Sequence, residues 1–345
     1  MKNTHFVFGC LLFMTLSLAT GIVSQTQEEF PFDNYPDFRA HLGKIFQEKK
    51  IEEAVRLLKI ALEKFPENLE ANAYNLAFMS GQVQDYETGV KALQYAHEKD
   101  VWFGKYVFDA DMWKPFKERP DFQQFLTENE GRRVAAQKQS ESLLEVLVPE
   151  DFQKDKIYPL FIALHGGGGN IADFKPSWTS PKMKEQFIVA YVQSSLKISM
   201  NGFNWTEDME ISKREITQAY KKVVKAYPVD KERIIVGGFS SGGVASLEIV
   251  LQDILPVRGF IVLCPAKPDS FTLKNVKGAK ARGIKGTLLT TEMDTRLDNQ
   301  KEMAEIFRDQ EFPCEFIVTP NIGHWFPEDL DQKIDTAIEK IFLKE

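Results

Sequence analysis

The stretch Ile234-Ile235-Val236-Gly237-Gly238-Phe239-Ser240-Ser241-Gly242-Gly243 constrains this chain more than any other. A β-branched run meets two glycines, two further residues surround a turn, and helical spacing resumes within 242–252. A strand that turns this sharply into a helix drives the central serine into a strained backbone conformation. Side chains two residues before and after it would strike neighbouring backbone. Gly238 and Gly242 answer that need around Ser240. Centring the pattern on Ser241 would require glycine where Phe239 stands. The plain alternative is a glycine-rich turn without chemistry. Context favours Ser240 as a candidate nucleophile.

At 345 residues the chain is long enough for two domains. Of its 21 glycines, two fall in 1–24, five in 25–140 and fourteen in 141–345, which marks a boundary near 140. Beyond it, short apolar runs at Leu143–Val148, Leu160–Leu164, Phe187–Val192, Ile234–Val236, Phe260–Leu263, Thr287–Thr290 and Phe316–Val318 read as strands. Helical spacing at 207–226, 242–252, 299–309 and 330–343 separates several of them. Strands alternating with helices predict an α/β class with a mostly parallel sheet covered on both faces.

A second glycine cluster, Leu164-His165-Gly166-Gly167-Gly168-Gly169-Asn170, follows an earlier strand. Backbone free of side chains can turn its N–H groups toward an oxygen that becomes negative during attack. The rival is a dinucleotide or phosphate loop, since Gly167–Ala172 fits G-x-G-x-x-A. Pro176 and Trp178 interrupt the helix such a loop should open, and no lysine follows as in a P-loop. Elimination then selects a base. His5, His41, His97 and His165 sit in the leader, the helical region or the glycine loop, which leaves His324 beyond the last strand. Asp294 follows the preceding strand and is the favoured orienting acid; Glu292 and Asp298 compete, and Asp269 follows an earlier strand.

The order Ser240, Asp294, His324 is that of the α/β-hydrolase fold. On Tyr158-Pro159 through Asn170, Val192-Gln193-Ser194-Ser195, Asn204-Trp205, Val229-Asp230 with Arg233, and Gly237 through Gly243, residues 141–345 resemble the phospholipase/carboxylesterase family. That family overlaps the dienelactone-hydrolase-like esterases. The resemblance implies a serine esterase acting on a small-molecule ester or thioester, with the backbone N–H groups of Gly167 and Ser241 as oxyanion donors. Such chemistry needs neither metal nor organic cofactor. Trp205 and Trp325 lie near expected strand ends and are candidate walls of the acyl pocket, with packing an equal alternative. A serine peptidase shares the triad order, and a non-catalytic hydrolase-like domain beside a partner-binding module is the alternative from another class.

Residues 25–140 read differently. Ile51, Ala54, Val55, Leu57, Leu58, Ala61 and Leu62 follow amphipathic helical spacing. An offset of 35 pairs Leu42 with Ala77, Ala54 with Gly89, Leu58 with Leu93 and Ala61 with Ala96, a degenerate resemblance to tetratricopeptide helix pairs. The aromatic-rich stretch 101–125 reads either as a platform for a glycan or protein partner or, preferred, as a cap closing the helical stack. Residues 1–24 have one lysine, an apolar run from Phe6 to Leu18 and small residues after it, the pattern of a cleaved secretory signal. Export to a secreted or periplasmic location follows, with no membrane span in the mature chain. Net charge is −7 and evenly spread, so no basic stripe exists for nucleic acid. Cys264 and Cys314 are expected at opposite sheet ends as free thiols. The lysine-rich stretch Lys267–Lys285 reads as a solvated loop.

Overall fold

The computed structural model describes residues 30–343, so the signal read at 1–24 lies outside the described residues. The chain divides into two compact units between Lys50 and Ile51. In the first, helix α1 (Tyr35–Gln47) opens at Asn34, whose side-chain oxygen accepts the Asp37 N–H at 3.0 Å. That cap satisfies one of the donors a helix start leaves unpaired. Phe30 and Phe32 pack on Phe38, with ring centroids 5.4 and 5.6 Å away.

The second unit begins with helices α2 (Ile51–Lys64), α3 (Leu69–Gln82), α4 (Tyr86–Glu98), α5 (Lys114–Lys117) and α6 (Pro120–Lys138). The buried residues of α2 are Ala54, Val55, Leu57, Leu58 and Ala61, one face of a 3.6-residue period. Helices α3 and α4 approach closely because Gly89 has no side chain: a Cβ there would lie 3.2 Å from the Ala77 Cα. The aromatic stretch fills this helical core. Phe103, Phe108, Trp113, Phe116, Phe122 and Phe125 are buried against Leu69, Ala73, Ala77, Val90, Leu93 and Ala96. These rings form a packed cap on the helices. Asn129 locks the cap in place, since its Oδ1 accepts the Phe103 N–H at 2.7 Å and its Nδ2 donates to the Phe103 carbonyl at 2.9 Å.

After α6 come strand β1 (Leu143–Leu147), strand β2 (Tyr158–Leu164), helices α7 (Ile171–Phe174) and α8 (Pro181–Gln186), and strand β3 (Ile188–Gln193). Next are α9 (Met209–Ala226), β4 (Val229–Phe239), α10 (Ser241–Leu251), β5 (Gly259–Leu263) and α11 (Leu273–Ala281). The chain ends with β6 (Lys285–Thr291), α12 (Leu297–Asp309), β7 (Cys314–Thr319) and α13 (Leu330–Phe342). The seven strands form one sheet in the order β1-β3-β2-β4-β5-β6-β7, with only β1 antiparallel to its neighbour. Alternate residues of β2 serve the two faces: Leu160, Ile162 and Leu164 join one apolar layer, Phe161 and Ala163 the other. Both faces are covered, which is why the central strands read as unbroken apolar runs.

The lysine-rich stretch is not simply a solvated loop. It contains α11, which turns Val276 and Ala279 into the core while Lys267 and Lys280 pair with Glu302 and Glu311. Cys264 and Cys314 are free thiols, at the exit of β5 and the start of β7, with β6 between them.

The helices and the sheet share a seam along residues 195–207. Gln137 of α6 donates to the Ser195 carbonyl (3.0 Å) and accepts the Lys197 N–H (2.7 Å). The Lys105 N–H donates to the Ile198 carbonyl at 2.8 Å, and Arg133 reaches the Lys197 carbonyl at 3.3 Å. Lys105 Nζ and Tyr106 Oη both donate to Glu207, at 2.6 and 2.5 Å.

Candidate active site

Three loops leave the C-terminal ends of β4, β6 and β7 and converge. The first is the turn from β4 into α10, where Ser240 has φ 51° and ψ −114°, outside the regions that L-residues favour. Such strain persists only where surroundings enforce it. Here the enforcement is close packing: a Cβ on Gly238 would run into the Leu164 carbonyl oxygen and the Gly242 backbone, and a Cβ on Gly242 into the carbonyl oxygens of Leu164 and His165. The Ser240 N–H is tied to the Leu263 carbonyl at 2.8 Å.

The structure brings Ser240, His324 and Asp294 into one hydrogen-bonded chain. Ser240 Oγ lies 2.8 Å from His324 Nε2, and His324 Nδ1 lies 2.8 Å from Asp294 Oδ2. A carboxylate can only accept, so Nδ1 carries the proton and Nε2 is left to accept from the serine hydroxyl. Burial pushes the Asp294 carboxyl upward, but hydrogen bonds from the Arg296 N–H, His324, Cys264 and Gln300 outweigh it and hold the group below the ordinary carboxylate value. The acid is therefore ionised at neutral pH.

The competing acids sit elsewhere. Glu292 Oε2 accepts the Asn321 N–H at 2.9 Å and clasps the histidine loop to the acid loop. Asp298 is fully exposed beside Lys301, and Asp269 is exposed. Thr291 Oγ1 adds a 2.6 Å bond to the Gly323 carbonyl, a second tie between the two loops.

The glycine loop after β2 faces the same point. His165 is buried beneath it; the Ser194 N–H donates to its Nε2 at 3.2 Å, which leaves Nδ1–H to donate to the Gly166 carbonyl at 2.7 Å. Burial pushes the His165 pKa down to about 4, so the ring is a neutral strut. Gly168 N–H and Gly169 N–H are paired, to the Phe203 and Gly166 carbonyls. The backbone N–H groups of Gly167 and Ser241 have no acceptor among the described residues. A Cβ built on Gly167 would lie 3.4 Å from Ser241 Oγ, so the two candidate donors are neighbours.

Beside this loop lies a cavity of about 540 Å³ walled by Gly166–Gly169, Phe174, Pro176, Phe239, Trp325 and Phe326. Trp325 is 65% exposed and forms part of that wall. Trp205 does not. It is 0% exposed in the core under the glycine loop, where its Nε1 donates to the His165 carbonyl at 3.0 Å. An indole with a buried partner for its N–H packs better there than at a wet mouth.

Sequence reasoning missed three neighbours of the histidine and its acid. Gln300, Arg296 and Cys264 all reach them, although only Arg296 is close in sequence to Asp294. Cys264, Asp294 and His324 place ligand-type atoms within 4.8 Å of one another. A metal there would have to break the His324–Asp294 bond and deprotonate a thiol that burial pushes up to about 12, so the cluster is a poor metal cage.

The phospholipase/carboxylesterase family matches residues 152–341, more than half of the chain. The chain belongs to that family: it is a carboxylic ester hydrolase of α/β-hydrolase fold, preceded by an all-helical region. No curated protein matches it. Among solved structures, an uncharacterized protein from Bacillus cereus ATCC 10987 is 23% identical with a TM-score of 0.50, over 90% of this chain and 99% of that one. S-formylglutathione hydrolase from Staphylococcus aureus is 16% identical with a TM-score of 0.43, over 59% of this chain and 98% of that one. Fluorophosphonate-binding serine hydrolase F of the same organism is 16% identical with a TM-score of 0.46, over 59% and 98%.

Proposed function

We propose that this protein hydrolyses small carboxylic esters through an acyl-Ser240 intermediate. The observation that carries this reading is the unbroken chain from Ser240 Oγ through His324 to Asp294, 2.8 Å at each link, on a strained turn. His324 Nε2 takes the hydroxyl proton as Oγ attacks the ester carbonyl. Asp294 keeps Nδ1 protonated and steadies the imidazolium that forms. The carbonyl oxygen, now negative, takes the free N–H groups of Gly167 and Ser241. The imidazolium then protonates the departing alcohol. Water, deprotonated by the same histidine, cleaves the acyl-serine and restores the enzyme. A thioester follows the same path with a thiol as leaving group.

The aromatic walls of the cavity suit an apolar acyl group. The leader pattern of residues 1–24 supports export, with cleavage between Gly21 and Gln25; N-terminal sequencing of the mature protein tests it. The decisive experiment treats purified protein and Ser240→Ala with a fluorophosphonate probe and assays 4-nitrophenyl butyrate. Ser240-dependent labelling and turnover are expected. Equal labelling of the two proteins overturns the proposal.

A further inference from the structure

Among the described residues, no acid pairs with the guanidinium of Arg296. Its backbone N–H donates to Asp294 Oδ1 at 2.8 Å, but its guanidinium turns to His324, where Nη1 lies 3.2 Å from Nε2 and 3.4 Å from Nδ1. Among the described residues it makes no ion pair. Neither ring nitrogen is available to it, because the Nδ1 proton is directed to Asp294 and the Nε2 lone pair to Ser240. The contact is a half-buried cation against a ring.

In the acyl-transfer reading, on which this inference rests, that ring must become an imidazolium. The guanidinium lies 3.2 Å from Nε2, the atom that carries the proton in that step. An anion beside Arg296 gives the guanidinium the partner it lacks. The two sides of the scissile bond differ in chemistry. The cavity beside the glycine loop, the acyl side in that reading, is walled by aromatic rings, and its one charged residue, Asp173, is acidic and repels an anion. Nε2 delivers its proton to the leaving oxygen, so the alcohol must lie against the atom that Arg296 adjoins.

The geometry points to Arg296 as the receptor for a carboxylate on the leaving alcohol. The substrate class is then an ester joining an apolar acyl group to a hydroxy acid. The planar fork of arginine suits a carboxylate, which it can bind through two parallel hydrogen bonds.

The test compares the butyrate esters of 3-hydroxybenzoate and 3-hydroxybenzamide, equal in shape but different in charge. Wild type, Arg296→Gln and Arg296→Lys are assayed for kcat/KM, with fluorophosphonate labelling of Ser240 as the check that each is folded. Wild type is expected to favour the carboxylate ester tenfold or more. Arg296→Gln should bring the ratio to about one, and Arg296→Lys should keep part of it. A ratio unchanged by Arg296→Gln in labelled, active enzyme overturns this inference alone. An Arg296-dependent preference for monophenyl glutarate over phenyl butyrate, without one for the charged alcohol, overturns its placement on the leaving group. Absence of labelling and turnover in wild type overturns the acyl-transfer reading, and this inference with it.

Discussion

Gln300 holds Asp294: its Nε2 donates to Asp294 Oδ2 at 3.3 Å and to the Pro265 carbonyl at 3.0 Å, while its Oε1 accepts the Thr290 hydroxyl. One buried amide thus joins the ends of β5 and β6 to α12. Gln300→Met keeps the volume but leaves the Thr290 hydroxyl and the Pro265 carbonyl unsatisfied. The expected loss is about 2–3 kcal/mol of stability in urea unfolding. With Asp294 less firmly aimed, kcat should fall about tenfold while KM changes little. Ester kinetics on the purified variant check this, and an unchanged kcat would refute the positioning role.

His165 predicts a pH dependence. Its folded pKa, about 4, lies below the ordinary 6.5 because burial disfavours the charged ring. Its stabilising contribution is therefore complete above pH 6.5 and is lost as pH falls toward 4. The loss over that window is about 3 kcal/mol. Urea unfolding at pH 7, 5.5 and 4 should show it. His165→Gln should be less stable at pH 7 and should lose this component of the slope.

Glycines at two places should respond in opposite ways. Gly242→Ala puts a Cβ into two carbonyl oxygens and should cost about 3 kcal/mol or more, together with ester turnover. Gly131 sits exposed within α6 with nothing within 4 Å of a Cβ. Gly131→Ala should raise stability by about 0.5–1 kcal/mol through helix propensity. Thermal melts of the two variants suffice.

Glu207 binds Lys105 and Tyr106 on one side and Asn204 Nδ2 (3.1 Å) on the other. Asn204 Oδ1 in turn lies 3.2 Å from where a Gly167 Cβ would be. Glu207→Ala should cost about 1 kcal/mol, discounted because Lys105 is partly exposed. It should also lower kcat, by loosening the loop that carries the Gly167 N–H. A double-mutant cycle with Tyr106→Phe, read by melting and by kcat, separates the two effects.

The central strands were legible because parallel strands covered on both faces leave unbroken apolar runs, and each of the seven expected runs overlaps a strand, with Val148 and Phe187 just outside. What escaped was amphipathic structure hidden by charge. Lys274, Lys277 and Lys280 dominate the stretch that forms α11, yet Val276 and Ala279 are spaced to face the core. The short α7 and α8 span too few residues to display a period.

At the site, glycine spacing points to Ser240, since the turn demands its glycines, and chain order and elimination point to Asp294 and His324. Trp205 had two equal readings, wall or packing, because a strand end can point a side chain up to the mouth or down to the core; it packs in the core. Arg296 and Gln300 were invisible for a related reason. Their importance lies in where a long side chain swings, which no local pattern records.

The seam at residues 195–207 has a practical meaning. Trimming the chain to begin near 141 would remove Gln137, Arg133 and Lys105, and with them the partners of the Ser195, Lys197 and Ile198 carbonyls. The loop so released is bonded through Phe203 to Gly168 and Gly169. A shortened protein should therefore keep its serine and histidine yet lose the shape of the place where a carbonyl oxygen must rest.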